Sequence, residues 1–316
     1  MYSLIVVTGP TAVGKTDLCA TLAEHYSVPI INADSRQIFS EMEIGTATPD
    51  RELMERIRHY KVAELHLGEY YNASMYEQDV LDIMSDLSQS AIQNHLASPL
   101  PIAILTGGSM MYIDAVCNGI DDIPTIDSSL RKQVQEKLDR EGLEAVYKEL
   151  EALDPEYSRI VDKKNVRRVV HGLEVCLQSG KPYTSFRNNT KKERPFRIIK
   201  IGLTLPRNEL YDRINLRVDR MMQTGLLEEA RRLYPYRHFN SLNTVGYKEL
   251  FAHFDGDYSM EEAVERIKGN TRKYARKQLT WFKRDQSIQW FSPSDKEGII
   301  QHINTLCYGT NDNGQA

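Results

Sequence analysis

The run Gly9-Pro10-Thr11-Ala12-Val13-Gly14-Lys15-Thr16 has the G-x-x-x-x-G-K-[ST] spacing of a loop that cradles phosphate oxygens. An apolar run, Leu4 to Val7, precedes it, and a segment with Leu18, Leu22 and Tyr26 on one helical face follows. Such a loop needs this order of strand, turn and helix. Its glycines let backbone N–H groups converge on an anion, and the helix N-terminus adds a favourable dipole. Lys15 supplies a positive charge, and the Thr16 hydroxyl can bind Mg²⁺. The loop specifies phosphate without saying which phosphate compound.

A second group, Asp34-Ser35-Arg36-Gln37, follows the short apolar run Val28 to Asn32. Polar residues just beyond the C-terminal end of a strand are where ligands of α/β sheets collect. Asp34 reads as a structural cap, as a metal ligand, or as a base facing the phosphate site. Most nucleoside triphosphatases with this loop also hold Mg²⁺ with an Asp that ends an apolar strand. Here the third apolar run, Pro101 to Leu105, passes into Thr106-Gly107-Gly108-Ser109 with no acid at its end.

Positive charge is gathered in two places. The formal net charge of the 316 residues is −4, yet 159–200 holds 12 Lys/Arg against 3 Asp/Glu, and 266–284 holds 8 Lys/Arg and no acid. Local positive charge of this kind binds polyanions whatever the overall isoelectric point. Cys19, Cys117, Cys176 and Cys307 are far apart and form no C-x-x-C pair, which argues against a zinc module or a disulfide framework and for a reducing cytoplasm. No basic leader with a cleavage site opens the chain, and no apolar run has bilayer-spanning length. The eight His residues show neither triad nor metal spacing.

The elements that must position these residues alternate at first. Strand-type runs at Leu4 to Val7, Val28 to Asn32 and Pro101 to Leu105 are separated by helical periods, including a charged helix over Asp50 to Tyr60 and one opened by a capping box at Ser74-x-x-Glu77. This alternation predicts a parallel sheet covered on both faces. From Asp127 to Gly180 only helical periods occur, with Asp154-Pro155 as a helix start and Gly180 as a stop. Strand character returns at Phe196 to Thr204, followed by helices over Arg207 to Gln223, Leu226 to Leu233, Val245 to Phe254 and from Ser259, where Ser259-x-x-Glu262 is a second capping box. Ile288 to Phe291 reads as an edge strand. The expected fold is therefore α/β, a parallel sheet with helices on both faces plus an inserted all-helical subdomain. Its core comprises 1–120 and 195–308, with C-terminal helices; the insertion is 121–194, and 309–316 is a flexible tail.

Several linked motifs then coincide. The phosphate loop, Asn32-Ala-Asp-Ser-Arg-Gln37, Ile44-Gly-Thr-Ala-Thr-Pro49, Thr106-Gly-Gly-Ser109, Asn165-Val-Arg-Arg168 with Leu173-Glu-Val175, Thr244-Val-Gly-Tyr-Lys248 and Arg276-Lys-Gln-Leu-Thr-Trp-Phe282 stand in one order. Over about residues 3 to 291 the chain resembles the bacterial tRNA dimethylallyltransferases (tRNA isopentenyltransferases). It departs from that family's usual pattern at Thr48 for Lys, Ser109 for Thr, Arg167 for Gln and His171 for Arg.

The resemblance implies a kinase-like phosphate-loop fold and transfer of a dimethylallyl group from dimethylallyl diphosphate to N6 of the adenosine 3′-adjacent to the anticodon. Lys15, Thr16, Thr11 and loop amides, with Mg²⁺, would stabilise charge growing on the diphosphate leaving group. Asp34 would take the N6 proton. Arg213 and Arg217, one helical turn apart, are directed by the family toward the donor diphosphate; surface ion pairing is the other reading. The target base must leave its stack to react. Asp34, Ser35, Arg36 and Gln37 would meet it, and turn formation is the alternative for Ser35 and Gln37. Arg167, Arg168 and His171 in the insertion, and Arg272, Arg276 and Lys277 near the C-terminus, would grip the tRNA anticodon stem-loop. Trp281 and Phe282 are expected in the core. A monomer in the cytoplasm is expected. The competing readings are a small-molecule kinase with this loop, an adenylate isopentenyltransferase acting on free nucleotide, and a non-catalytic RNA-binding protein.

Overall fold

A computed structural model of the chain describes residues 1–96, 100–188 and 190–308. Among them, strands β1 (Ser3–Thr8), β2 (Ile30–Asn32), β3 (His59–Tyr60), β4 (Pro101–Thr106), β5 (Arg197–Leu203) and β6 (Gln289–Phe291) form a sheet in the order β3-β2-β4-β1-β5-β6. Every neighbouring pair is parallel. The first strand in sequence is thus central, and all six of its residues are buried.

Alternate side chains of a strand leave opposite faces of a sheet, so β1 feeds two cores. Ile5 and Val7 pack with Leu18 and Leu22 of α1 (Lys15–Tyr26) and with Ile214 and Ile299. Leu4 and Val6 join Tyr76, Val80 and Met84, then Ile113 and Val116. The remaining helices of this layered body are α2 (Arg51–Arg56), α3 (Ala73–Gln93) and α4 (Met110–Asn118), and, beyond β5, α8 (Arg207–Gln223), α9 (Leu226–Leu233), α10 (Tyr247–Phe254), α11 (Met260–Phe282) and α12 (Lys296–Tyr308). A third core, around Ile38, Met42, Leu226, Tyr247 and Leu250, lies under the chain that follows β2. Phe282 is buried and Trp281 partly so, its indole N–H donating to Asp114 Oδ2 at 2.8 Å, which is the core role expected of the pair.

Local chemistry moves two expected boundaries. The helix expected over Asp50 to Tyr60 stops at Arg56; Asp50 Oδ1 caps it by accepting from Leu53 N at 2.8 Å, and His59–Tyr60 pairs with Ile30 and Ile31 instead. The capping box at Ser74 is not formed. Asn72 is the cap, its Oδ1 accepting from Ser74 N and Met75 N, both at 2.9 Å. Glu77 is thereby released to a buried ion pair with Arg194, whose guanidinium also donates to the Ala115 and Val116 carbonyls. At Ser259 half of the expected box exists: Ser259 Oγ accepts from Glu262 N at 3.1 Å, while the Glu262 carboxylate turns to Arg266.

The chain divides into two compact units, Met1–Cys117 with the chain from Arg194 onward, and Asn118–Glu193. The second is built from α5 (Ser128–Leu153), α6 (Pro155–Ile160) and α7 (Val166–Ser179), closed on its own core of Val134, Val146, Leu150, Val169 and Leu173. Helix α5 is broken at Gly142, whose φ of 79° and ψ of 173° are non-helical. Asp154 caps α6 through Tyr157 N and also accepts from Thr184 N, and Gly180 ends α7 in the left-handed region. The expected tail, 309–316, lies outside the described residues. No helix among the described residues is long and apolar enough to cross a membrane.

Candidate active site

The phosphate loop joins β1 to α1 at the C-terminal edge of the sheet. Gly9 has φ +142°, and a Cβ there would stand 2.7 Å from the Leu203 carbonyl oxygen, so no other residue fits without moving β5. Gly14, left-handed at φ 106°, starts α1. Lys15 Nζ donates to the Gly9 and Pro10 carbonyls, each at 2.9 Å. Burial pushes its pKa down to about 8; the Arg217 charge adds to the fall and Asp34 partly opposes it. Below Lys15, burial pushes the Cys19 thiol up to about 12, which leaves it an inert thiol.

The two arginines of α8 differ. Arg213 is exposed, pairs with Glu209 at 2.9 Å in the i,i+4 manner, and places Nη1 3.5 Å from the Val13 carbonyl. Arg217 lies deeper, with Nη2 3.4 Å from Thr46 O. Burial lowers its pKa, and Asp34 acts against that. Lys15, Arg217 and Asp34 therefore share one electrostatic site.

Asp34 lies two residues beyond β2, with its two oxygens in different roles. Oδ1 accepts from Arg36 N at 2.9 Å, closing a turn, while Oδ2 faces Gly108, where a Cβ would come within 3.0 Å of it. Ser35 N donates to Ser109 Oγ at 2.8 Å, and that hydroxyl donates to Ser35 Oγ at 3.0 Å. Gln37 Nε2 donates to Thr46 O and Ala47 O at 2.9 and 3.0 Å, so its amide nitrogen holds a turn. Two tyrosines border the carboxylate. Burial, with Asp34 adding its charge, raises the hydroxyl pKa of Tyr274; burial brings that of Tyr112 to about 12.

Two residues that sequence reasoning did not single out shape the site. Glu229 of α9, 2% exposed, accepts from the amides of Glu43, Ile44 and Gly45 at 2.8–3.1 Å and from Tyr247 Oη at 2.7 Å. It fixes the 43–47 loop whose carbonyls meet Gln37 and Arg217. Gln278 of α11 bonds Thr11 N and Gly108 O. In the sequence it stands inside the run Arg276 to Phe282, as a polar residue between Ala275 and Phe282 on an otherwise apolar helical face.

The described residues contain no group of three His, Cys, Asp or Glu able to hold a metal. Thr16 is exposed at the first turn of α1. A Mg²⁺ ion would take the Thr16 hydroxyl together with diphosphate and water oxygens, a donor set that suits an ion which keeps several waters and binds through substrate phosphates.

The basic stretches separate on folding. Of the first, Arg194, Arg197 and Lys200 belong to the sheet unit; Arg194 and Lys200 are committed to Glu77 and Asp285, and Arg197 to the Leu306 carbonyl. In the helical unit Arg167 and Arg168 are exposed on α7, and His171 stacks edge-on against Tyr183 at 5.6 Å, its Nδ1 3.8 Å from Glu174. Of the second, Arg266 and Lys268 pair with Glu262 and Asp219, and Arg272 bonds Asn215 Oδ1, whereas Arg276 and Lys277 are exposed.

Residues 37–285 match the family model described as IPP transferase. The chain is 56% identical over 304 residues to the tRNA dimethylallyltransferase 1 of Phocaeicola vulgatus, covering 96% of this chain and 98% of that one. The full-length tRNA isopentenylpyrophosphate transferase of Bacillus halodurans superposes with a TM-score of 0.67 at 31% identity, over 96% of this chain and 95% of that one. A eukaryotic dimethylallyltransferase acting on tRNA shares the fold, with a TM-score of 0.79 at 23% identity over 97% of this chain and 78% of its own.

Proposed function

Because the chain belongs to the IPP transferase family, we propose that it transfers a dimethylallyl group from dimethylallyl diphosphate to N6 of the adenosine 3′-adjacent to the anticodon of tRNA, releasing diphosphate. The observation that carries this reading is a phosphate loop tied through Gln278 to Gly108, the residue that Asp34 Oδ2 faces. A kinase of this size would leave the exposed cations of the helical unit without a purpose.

In this reaction the C–O bond of the allylic diphosphate breaks while the N6–C bond forms. Charge grows on the departing oxygen, where Lys15, Arg217 and the loop amides meet it in a poorly solvated site. Thr11 supplies its hydroxyl to the same anion. Asp34 Oδ2, the oxygen not held by Arg36 N, takes the N6 proton. Mg²⁺ bound through Thr16 would neutralise part of the diphosphate charge. Arg36 and Ser35 stand beside the carboxylate to meet the extruded base, with Gln37 setting the adjoining turn. Arg167, Arg168, His171, Arg272, Arg276 and Lys277 serve the anticodon stem-loop. The protein acts as a monomer in the cytoplasm, a setting that four free, buried cysteines suit.

The test is labelled dimethylallyl diphosphate with Mg²⁺, offered separately with unmodified tRNA and with AMP. Label is expected in tRNA; label in AMP alone, or ATP turnover without prenylation, overturns the proposal. Asp34→Ala is expected to lower kcat by about a thousandfold with tRNA affinity within about threefold. Loss of tRNA binding instead would make Asp34 structural.

A further inference from the structure

Helix α11 brings two polar side chains, Tyr274 and Gln278, one turn apart, to the sheet edge. Gln278 is 0% exposed. Its Oε1 accepts from Thr11 N at 2.8 Å, and its Nε2 donates to Gly108 O at 2.9 Å. An amide N–H only donates and a carbonyl only accepts, so these partners permit one orientation of the carboxamide.

The two partners sit on opposite sides of the chemistry. Thr11 belongs to the loop that receives the leaving group. Gly108 lies against the base: a Cβ placed on it would be 3.0 Å from Asp34 Oδ2 and 2.9 Å from Gln278 Nε2. One side chain therefore ties the leaving-group loop to the backbone on which the carboxylate rests. The tie withholds the Thr11 N–H from phosphate, an amide that a phosphate loop would otherwise offer to its ligand. Gly108 O has a second donor, Tyr274 Oη at 2.9 Å, so removing the Gln278 amide frees the Thr11 N–H without stranding the carbonyl.

We propose that Gln278 is a positioning residue that sets the separation between Asp34 and the phosphate loop, and with it the approach of the attacking nitrogen to the allylic carbon. The inference rests on the function proposed above. A displacement reaction is steeply sensitive to this separation, about a hundredfold in rate for a misplacement of ~1 Å.

Gln278→Met keeps the side-chain length and removes both hydrogen bonds. Gln278→Glu keeps the acceptor for Thr11 N and turns an oxygen toward the Gly108 carbonyl. For both variants kcat is expected to fall about 10- to 100-fold, and in Gln278→Met KM for tRNA and for dimethylallyl diphosphate stays within about threefold of the parent with no loss of affinity for inorganic diphosphate. In Gln278→Met a loss carried by KM or by diphosphate affinity overturns the inference, as does kcat within about twofold in either variant. Loss of cooperative melting in both variants assigns Gln278 to stability alone and overturns it too. Failure of the parent protein to prenylate tRNA is a different result: it removes the function and this inference together.

Discussion

Lys15 is held by its own loop, with Nζ on the Gly9 and Pro10 carbonyls, and burial beside Arg217 pushes its pKa down to about 8. A bound diphosphate stabilises the cation and raises that pKa, so binding takes up a proton wherever the free lysine is neutral. Affinity for inorganic diphosphate should accordingly weaken above pH 8 as Lys15 loses its proton, by up to about tenfold per unit, until the liganded pKa is reached. Calorimetric titrations in buffers of different ionisation enthalpy measure that proton uptake directly, and a pH-independent Kd between 7 and 9.5 would refute it. The sign for folding is the opposite of the usual lysine. A folded pKa below the unfolded 10.5 penalises the folded state when both forms are protonated, so this residue's contribution to stability improves as pH rises from about 8 to 10.5. At this scale the phosphate loop was legible because its chemistry depends on eight consecutive residues. Gln278 and Glu229 were not, since their partners lie 267 and 184–186 residues away. The exposed-pair reading of α8 fits Arg213 and fails for Arg217. A spacing of one turn cannot tell which of two arginines will be desolvated.

Elements owe their boundaries to competition among caps, and α3 illustrates it. Ser74 and Glu77 have the spacing of a capping box, but Asn72 reaches the same amides from farther upstream, and Glu77 then serves Arg194. A local pattern could not show this, because the rival for Glu77 is 117 residues away. The pair is nearly dry, with side chains 6% and 7% exposed. Arg194→Met removes the guanidinium from Glu77 and from the Ala115 and Val116 carbonyls together, so it should destabilise the fold by about 3 kcal/mol or more, whereas replacing both Arg194 and Glu77 with apolar residues should cost less. Chemical denaturation of the two variants checks both halves of that statement. Helix α5 offers a milder case. Gly142 sits at φ +79°, and a Cβ there would meet no atom within 4 Å, so Gly142→Ala meets backbone strain alone. A loss of about 1 kcal/mol is expected. The strand β3 escaped sequence reading for another reason: two residues are too few to show a period of two.

For the whole molecule, charge is more informative by region than in total. Within the helical unit, 118–158 carries 5 Lys/Arg and 11 Asp/Glu, while 159–193 carries 9 and 3, so a neutral unit is strongly bipolar along its sequence. A polyanion is drawn to 159–193 and repelled by 118–158. Replacing Arg167 and Arg168 with Gln should therefore reduce the slope of log K against log salt for tRNA by roughly 1.5, and replacing Lys132 on α5 should leave it unaltered. The order of strands has a further consequence, for biosynthesis. Strand β1 is made before the other five strands but sits within the sheet, and its two neighbours, β4 and β5, begin at residues 101 and 197. The helical unit, made of contacts close in sequence, is complete before β5 appears. At roughly 5–20 residues per second the first strand waits about 10 to 40 s for its second neighbour. Only with β5 does Leu203 come to flank Gly9, and only with residue 278 does the amide of Thr11 find its partner. The nascent chain thus leaves one side of an apolar strand unpaired until β5 is made, and its phosphate loop is complete only after residue 278.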